Sequence, residues 1–291
     1  MTDGHLMVGD GIRLYFDRRG TGPIVIVPNG LYLADDFERL TRAHTLVYYD
    51  VRNRGRSDAV NAPARLKRGV LNDVDDLEAV RRHFALERLD LVAHSYVAVI
   101  AALYARTHPH RVSRIVQIGP MQPHAAKQYS SRLPATDTTL ADTLAKLTEL
   151  RTHPPTDDPQ ELCEHFWTIL SRIYVTNPAD AHRVRWGRCE LPNERNFMKY
   201  WMGTLLPSIQ AVSFTPDQFS RVTAPMLTIH GTHDRSAPHE GGRDWARLLP
   251  NARLLTVEGA GHAPWIESPD LVLAAIDTFL RGAWPPAATK V

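Results

Sequence analysis

Cysteine is scarce: the two in 291 residues are too few for a disulfide framework. Cys163 and Cys189 are not spaced as a metal knuckle either, so both are expected to be free thiols. Long apolar runs are missing, since no stretch reaches the ~18 unbroken apolar residues of a spanning helix. Met1 to Asp10 lacks the basic start and apolar core of a signal peptide, which leads to the expectation of a soluble, cytoplasmic protein. An excess of one charge is missing as well, because 34 basic and 32 acidic residues leave a formal charge of +2. With no block of like charge to act as a tail, neither a nucleic-acid partner nor a membrane-surface role is expected. Internal repeats and low-complexity segments are absent. What remains is a chain of 43% hydrophobic residues, long enough to bury a large core.

The first third alternates strand-like and helix-like segments, the pattern of a parallel sheet with helices on its faces. Ile12 to Arg18 alternates apolar and polar residues as a half-buried strand does, and PIVIVP (Pro23 to Pro28) and TLVYYD (Thr45 to Asp50) suit strands covered on both faces. Val74, Leu77, Val80 and Phe84 recur at helical spacing, with acids in the first turn and Arg81 and Arg82 near the end to complement the dipole. Leu89 to Ala93 then reads as a strand, Tyr96 to Arg106 as a helix and Val112 to Ile118 as a strand. Strand patterning stops from about Met121 to Phe214 and resumes with PMLTIH (Pro225 to His230) and ARLLTVE (Ala252 to Glu258), before a last helix from Ser268 and a tail, Trp284 to Val291, expected to fray. These breaks divide the chain into a core of residues 1–120 and 215–291 and an inserted helical lid of residues 121–214.

A serine hydroxyl attacks a carbonyl only with an adjacent base, a carboxylate to orient that base and donors for the oxyanion. Ser95 lies in Ala93-His94-Ser95-Tyr96-Val97, directly between a predicted strand and a predicted helix. On that pentapeptide alone it reads equally as a nucleophile or as a helix N-cap. Downstream, Asp234 follows the strand PMLTIH within His230-Gly231-Thr232-His233-Asp234, and His262 ends Gly259-Ala260-Gly261-His262 after the last strand, with Glu267 and Pro269 following.

These motifs in this order resemble the α/β-hydrolase fold family, whose nucleophile elbow reads small-x-Ser-x-small and whose acid and histidine follow late strands. Ala93 matches that elbow and Val97 stands where a small residue is usual. The stretch Tyr49-Asp50-Val51-Arg52-Asn53-Arg54-Gly55-Arg56-Ser57-Asp58 is similar to a loop of the same family, and its charges read as turn and ion-pair residues. The resemblance implies an α/β-hydrolase fold, a mostly parallel twisted sheet flanked by helices, with Ser95 as nucleophile, His262 as base and Asp234 as its orienting acid. It places the oxyanion donors at the backbone N–H groups of Tyr96 and Gly30, with Leu31 as the alternative to Gly30. It requires no metal and no organic cofactor.

The partner implied is a small-molecule substrate, an ester, lactone or amide cleaved through an acyl-enzyme beneath the lid. Trp167, Trp186 and Trp201 are the candidate pocket walls, alongside the reading that such aromatic residues form the lid's own core. The early chain also resembles proline iminopeptidases, and that activity would need a lid carboxylate for the substrate's ammonium group, with Glu194 and Glu190 as candidates. A third reading is a ligand-binding member of the fold whose elbow is disabled at Val97. Ser95 argues against epoxide hydrolases and haloalkane dehalogenases of this fold, which carry aspartate there, whereas carbon–carbon bond hydrolysis by the same residues is compatible with the sequence.

Overall fold

A computed structural model of the chain describes residues 2–124 and 136–291, so residues 125–135 of the expected lid lie outside the described residues. Eight strands form one sheet in the order β1-β2-β4-β3-β5-β6-β7-β8. They are β1 (Thr2–Met7), β2 (Arg13–Arg19), β3 (Ile24–Pro28), β4 (Thr45–Tyr49), β5 (Leu89–His94), β6 (Val112–Ile118), β7 (Met226–Gly231) and β8 (Ala252–Val257). Strands β1 and β2 run antiparallel to their neighbours, and every pairing from β4 to β8 is parallel.

Parallel strands are covered on both faces, and the period of two sends successive side chains to opposite sides. Ile26, Val47, Tyr49, Leu91 and Ala93 accordingly enter one core, which includes α1 (Val70–His83), α2 (Val97–Thr107) and Trp245 of α6 (Glu240–Leu248). Their neighbours Val25, Val27, Leu46, Tyr48 and Val92 enter the other, against Phe37 and α7 (Pro269–Leu280). Each fully buried Val, Leu or Ile contributes roughly 1.5–3 kcal/mol, so the two cores hold the sheet rigid beneath the loops at its carboxyl ends. Asp50, Ser95, Gly119, Asp234 and His262 all lie in those loops.

Between β6 and β7 the described chain is helical, with α3 (Thr138–Thr152), α4 (Pro159–Leu170) and α5 (Pro192–Tyr200). Asp137 and Asp158 cap the first two by accepting backbone N–H bonds. A π-helical turn, Trp201–Leu205, continues α5. Among the described residues no helix is long and apolar enough to cross a membrane.

Two expectations, the free thiols and the frayed tail, are corrected, and one strand is added. Cys163 and Cys189 are joined in a disulfide that ties α4 to the segment leading into α5; fold proximity brings together thiols 26 residues apart, which spacing alone did not pair. The N-terminal residues form strand β1, which the mixed sequence TDGHLM concealed. The tail is docked: Leu254 and Thr289 exchange backbone hydrogen bonds of 2.8 and 2.9 Å, and Ala288 is buried.

Candidate active site

Strand β5 ends at His94 and α2 begins at Val97, so the chain must reverse within two residues. Ser95 does this at φ +59°, in the left-handed region that costs a non-glycine residue about 1–3 kcal/mol. Ser95 is therefore no helix cap; Tyr96 holds that position. The turn is pinned on both sides, because Ser95 N donates to Ile118 O at 3.0 Å and Met121 N donates to Ser95 O at 3.3 Å. Val97 is fully buried in the core below, so the β-branched residue is accommodated without loss of the turn.

Gly119 lies between those anchors, and a Cβ there would meet His262 Nδ1 at 2.9 Å and Asp234 Oδ2 at 3.2 Å. The absence of a side chain at Gly119 is what lets the histidine and carboxylate pack against the residue that follows Ile118, whose carbonyl holds Ser95 N. His262 Nδ1 donates to Asp234 Oδ2 at 2.7 Å, and both side chains are buried. His262 Nε2 has no hydrogen-bond partner among the described residues, which leaves it free for a proton.

Asp234 is held by four donors. Its Oδ1 accepts from the backbone of Ser236 (2.8 Å) and Ala237 (2.7 Å), and its Oδ2 accepts from His262 and, at 3.1 Å, from His230 Nε2. Burial pushes this carboxyl up, but His262 and the His230 and His262 hydrogen bonds outweigh it, and the group lies well below the usual carboxylate range.

The loop of His262 is clasped by Glu267, which accepts from Gly261 N at 2.6 Å and from Thr176 N of the insertion at 2.8 Å. His94 braces the ring's other side, its Nε2–H donating to His262 O (3.2 Å) and its Nδ1 accepting from Tyr32 Oη (2.8 Å). Burial and the neighbouring His262 push His94 well down, which keeps it neutral. Sequence reasoning passed over His94 and His230, since neither departs from an ordinary strand-end residue until the partners are seen.

The oxyanion donors are placed differently from one another. Tyr96, at the N-cap of α2, has an N–H with no intrahelical carbonyl to bond. Gly30 N donates to Val27 O at 3.2 Å, in a turn set by Asn29 at φ +49°, so its N–H is already engaged. Gly30 N–H and the next N–H, that of Leu31, are the two candidates for the second donor.

The four expected substrate contacts scatter. Trp186 is buried against Tyr32, His94, Tyr174 and Trp265, with ring centroids 4.6–5.7 Å apart, and lies 6.5 Å from His262. Trp201 meets Tyr96 at 5.0 Å and Phe197 at 6.0 Å. Trp167 packs on Phe166 and Tyr174 and closes over Gly187. Glu194 is buried, and it is not free: Arg54 donates to both its oxygens (2.7 and 2.9 Å) and Gly55 N donates to Oε1 (2.9 Å). The other lid acid, Glu190, pairs with Arg188 on the surface. A cavity of about 20 Å³, room for one water, lies beside Arg54 and Glu194 among Asn29, Tyr32, Asp50 and Trp186.

A model of the alpha/beta hydrolase fold family matches residues 25–269. The chain is 24% identical to a proline iminopeptidase of Heyndrickxia coagulans, over 91% of this chain and 93% of that one. It is 26% identical to a putative carbamate hydrolase of Pseudomonas savastanoi pv. phaseolicola, over 85% and 89%. Its fold is similar to that of an alpha/beta fold family hydrolase from Bacillus anthracis, with a TM-score of 0.73 over 95% of this chain and 98% of that chain at 17% identity.

Proposed function

The chain belongs to the alpha/beta hydrolase fold family, and from that premise we propose that it is a serine hydrolase cleaving a small carbonyl substrate through Ser95, His262 and Asp234. The observation that carries the reading is the 2.7 Å His262–Asp234 pair packed against Gly119, next to Ile118, whose carbonyl accepts from Ser95 N at the left-handed turn. In this mechanism His262 Nε2 takes the proton of Ser95 as its oxygen bonds to the carbonyl carbon, and Asp234 stabilises the imidazolium that forms. The oxyanion accepts hydrogen bonds from Tyr96 N–H and, in this reading, Leu31 N–H. His262 returns the proton to the leaving group, and water then repeats the sequence on the acyl-enzyme.

An ester, lactone or amide fits this chemistry. The iminopeptidase reading loses its expected anchor, because Glu194 already holds Arg54 and Gly55 N–H and would have to leave a buried arginine unpaired to take a substrate's ammonium group. The residues of the insertion between β6 and β7 serve as the lid of the proposed pocket. On 4-nitrophenyl acetate, Ser95→Ala is expected to lower turnover by roughly 10^3-fold or more while circular dichroism stays unchanged. Undiminished turnover in that variant would sink the mechanism. A serine-directed fluorophosphonate is expected to label Ser95, which a disabled ligand-binding member would not permit.

A further inference from the structure

His230, near the end of β7, is fully buried. Its Nε2 lies 2.7 Å from Ala237 O and 3.1 Å from Asp234 Oδ2. A carbonyl oxygen only accepts, so the short contact to Ala237 puts a proton on Nε2. Nδ1 has no hydrogen-bond partner among the described residues. A second proton there would be a buried donor without an acceptor, which is costly. The geometry therefore gives the ring one N–H, on Nε2, shared between two acceptors.

Helix α6 closes the side of the ring that carries Nδ1. A Cβ on Gly242 would meet Nδ1 at 2.4 Å and Cγ at 3.1 Å, so the ring fits only because residue 242 has no side chain. Glycine weakens a helix interior, and here it admits the imidazole. His239, just before α6, faces the ring with centroids 5.5 Å apart, and its own Nε2 lies 3.0 Å from Thr256 Oγ1. The titratable groups around His230 are thus Asp234, His239 and, through the shared Oδ2, His262, with His94 of β5 within its field. The end of β7 also meets the histidine loop directly, since a Cβ on Gly231 would fall 2.2 Å from Ala260 O and 2.3 Å from Gly261 O.

We propose that His230 is a positioning residue of the active site: its single N–H, divided between Ala237 O and Asp234 Oδ2, holds the carboxylate in place and moderates the charge that His262 meets. The role in turnover rests on the proposed Ser95–His262–Asp234 reading, whereas the location of the proton does not. Ala237 N donates to Asp234 Oδ1 at 2.7 Å while Ala237 O accepts from His230, so the turn that carries the acid is closed at both ends. Oδ2 serves two imidazoles, one at 2.7 Å and one at 3.1 Å. The nearer one is the proposed base, and the farther one draws off part of the charge without itself exchanging a proton with the substrate. Loss of the farther donor loosens the turn and leaves more of the carboxylate's charge to hold an imidazolium at His262.

The test compares the intact chain with His230→Leu, which loses the donor, and His230→Gln, whose side-chain N–H can stand in for Nε2–H; thermal melts check that each variant is folded. Turnover of 4-nitrophenyl acetate is followed from about pH 5 to about pH 9. His230→Leu is expected to lower kcat roughly tenfold or more with KM within about twofold, and to move the acid limb of kcat/KM up by about half a pH unit or more. His230→Gln is expected to recover most of kcat and to return the limb to its parent position. A parent-like kcat and limb in His230→Leu would overturn the proposal, as would equal losses in the two variants, which would assign the effect to ring packing. Long-range proton–nitrogen NMR spectra of the parent and of Ser95→Ala near pH 8, assigned by the signals missing from His230→Gln, are expected to show the Nε2–H form. An Nδ1–H form in either spectrum also overturns the proposal. Undiminished turnover in Ser95→Ala sinks the catalytic reading alone, and the spectra then decide on His230.

Discussion

Asp234 and Asp73 are both buried aspartates, and they sit in opposite electrostatic worlds. The turn after β7 gives Asp234 two backbone N–H groups and two histidines, and its carboxyl is driven well below the ordinary range. The first turn of α1 gives the Asp73 carboxyl no partner beyond its own backbone N–H among the described residues, and burial, with Asp76 nearby, pushes it well up against the opposing pull of Arg52. Asp50 stands between them, with a hydrogen bond from Arg56 N at 2.9 Å, and burial raises it to about 6. Burial sets the cost of a carboxylate, and the number of donors decides whether the charge is kept. An acid placed to orient a base needs its charge at all times, and the four donors on Asp234 keep it.

Replacing Asp234 breaks the comparison most severely. Asp234→Asn is expected to lower kcat on a small neutral ester by roughly 10^4-fold, measured under saturating substrate, because the amide can no longer stabilise the imidazolium. A loss below tenfold would remove Asp234 from the proposed mechanism.

Glu194 offers a smaller test of the same rule, being a buried acid whose partner is a full cation. Glu194→Gln leaves the Arg54 guanidinium buried without its counter-charge, and a loss of about 3 kcal/mol is expected in urea denaturation. The double variant Arg54→Met, Glu194→Met is expected to recover most of that loss; failure to recover would mean that Gly55 N–H and packing, not charge, hold Glu194.

The smallest effect has the opposite sign. A carboxyl raised in the folded state binds its proton more tightly there than in the unfolded chain, so folding stability falls as pH rises above the ordinary carboxylate value of about 4. Asp73→Asn removes that loss and is expected to melt a few degrees above the parent at pH 8, with the gap closing near pH 4. For Asp234 the linkage reverses, since a lowered folded value contributes stability above about 4 that disappears as pH falls. A lower melting point for Asp73→Asn at pH 8 would mean that Asp73 has donors of its own.

The two acids also differ in how far the sequence revealed them. Asp234 was legible because it follows a buried apolar strand in a short turn, at a distance from His262 that the order of strands explains. The alternation in PIVIVP and TLVYYD exposed the sheet in the same way, since both faces of those strands are covered and their composition says so. Asp73 reads in sequence as an acid complementing a helix dipole, and only the packed structure shows that it is buried. The same limit hid the Arg54–Glu194 pair, which joins residues 140 positions apart, and the Cys163–Cys189 disulfide. Local periodicity reports which face of an element is covered; what covers it is decided by elements distant in the chain.

Glu267 gives the site a mechanical property as well. One of its oxygens holds Gly261, next to His262, and the other holds Thr176 in the insertion, while Ala263 N donates to Tyr174 O at 2.9 Å. The histidine loop and this part of the insertion are therefore fastened by the Glu267 carboxylate and by backbone bonds, and a shift of one pulls on the other. In the proposed mechanism this couples the insertion to the base, so that displacing the chain near Thr176 also turns the His262 imidazole.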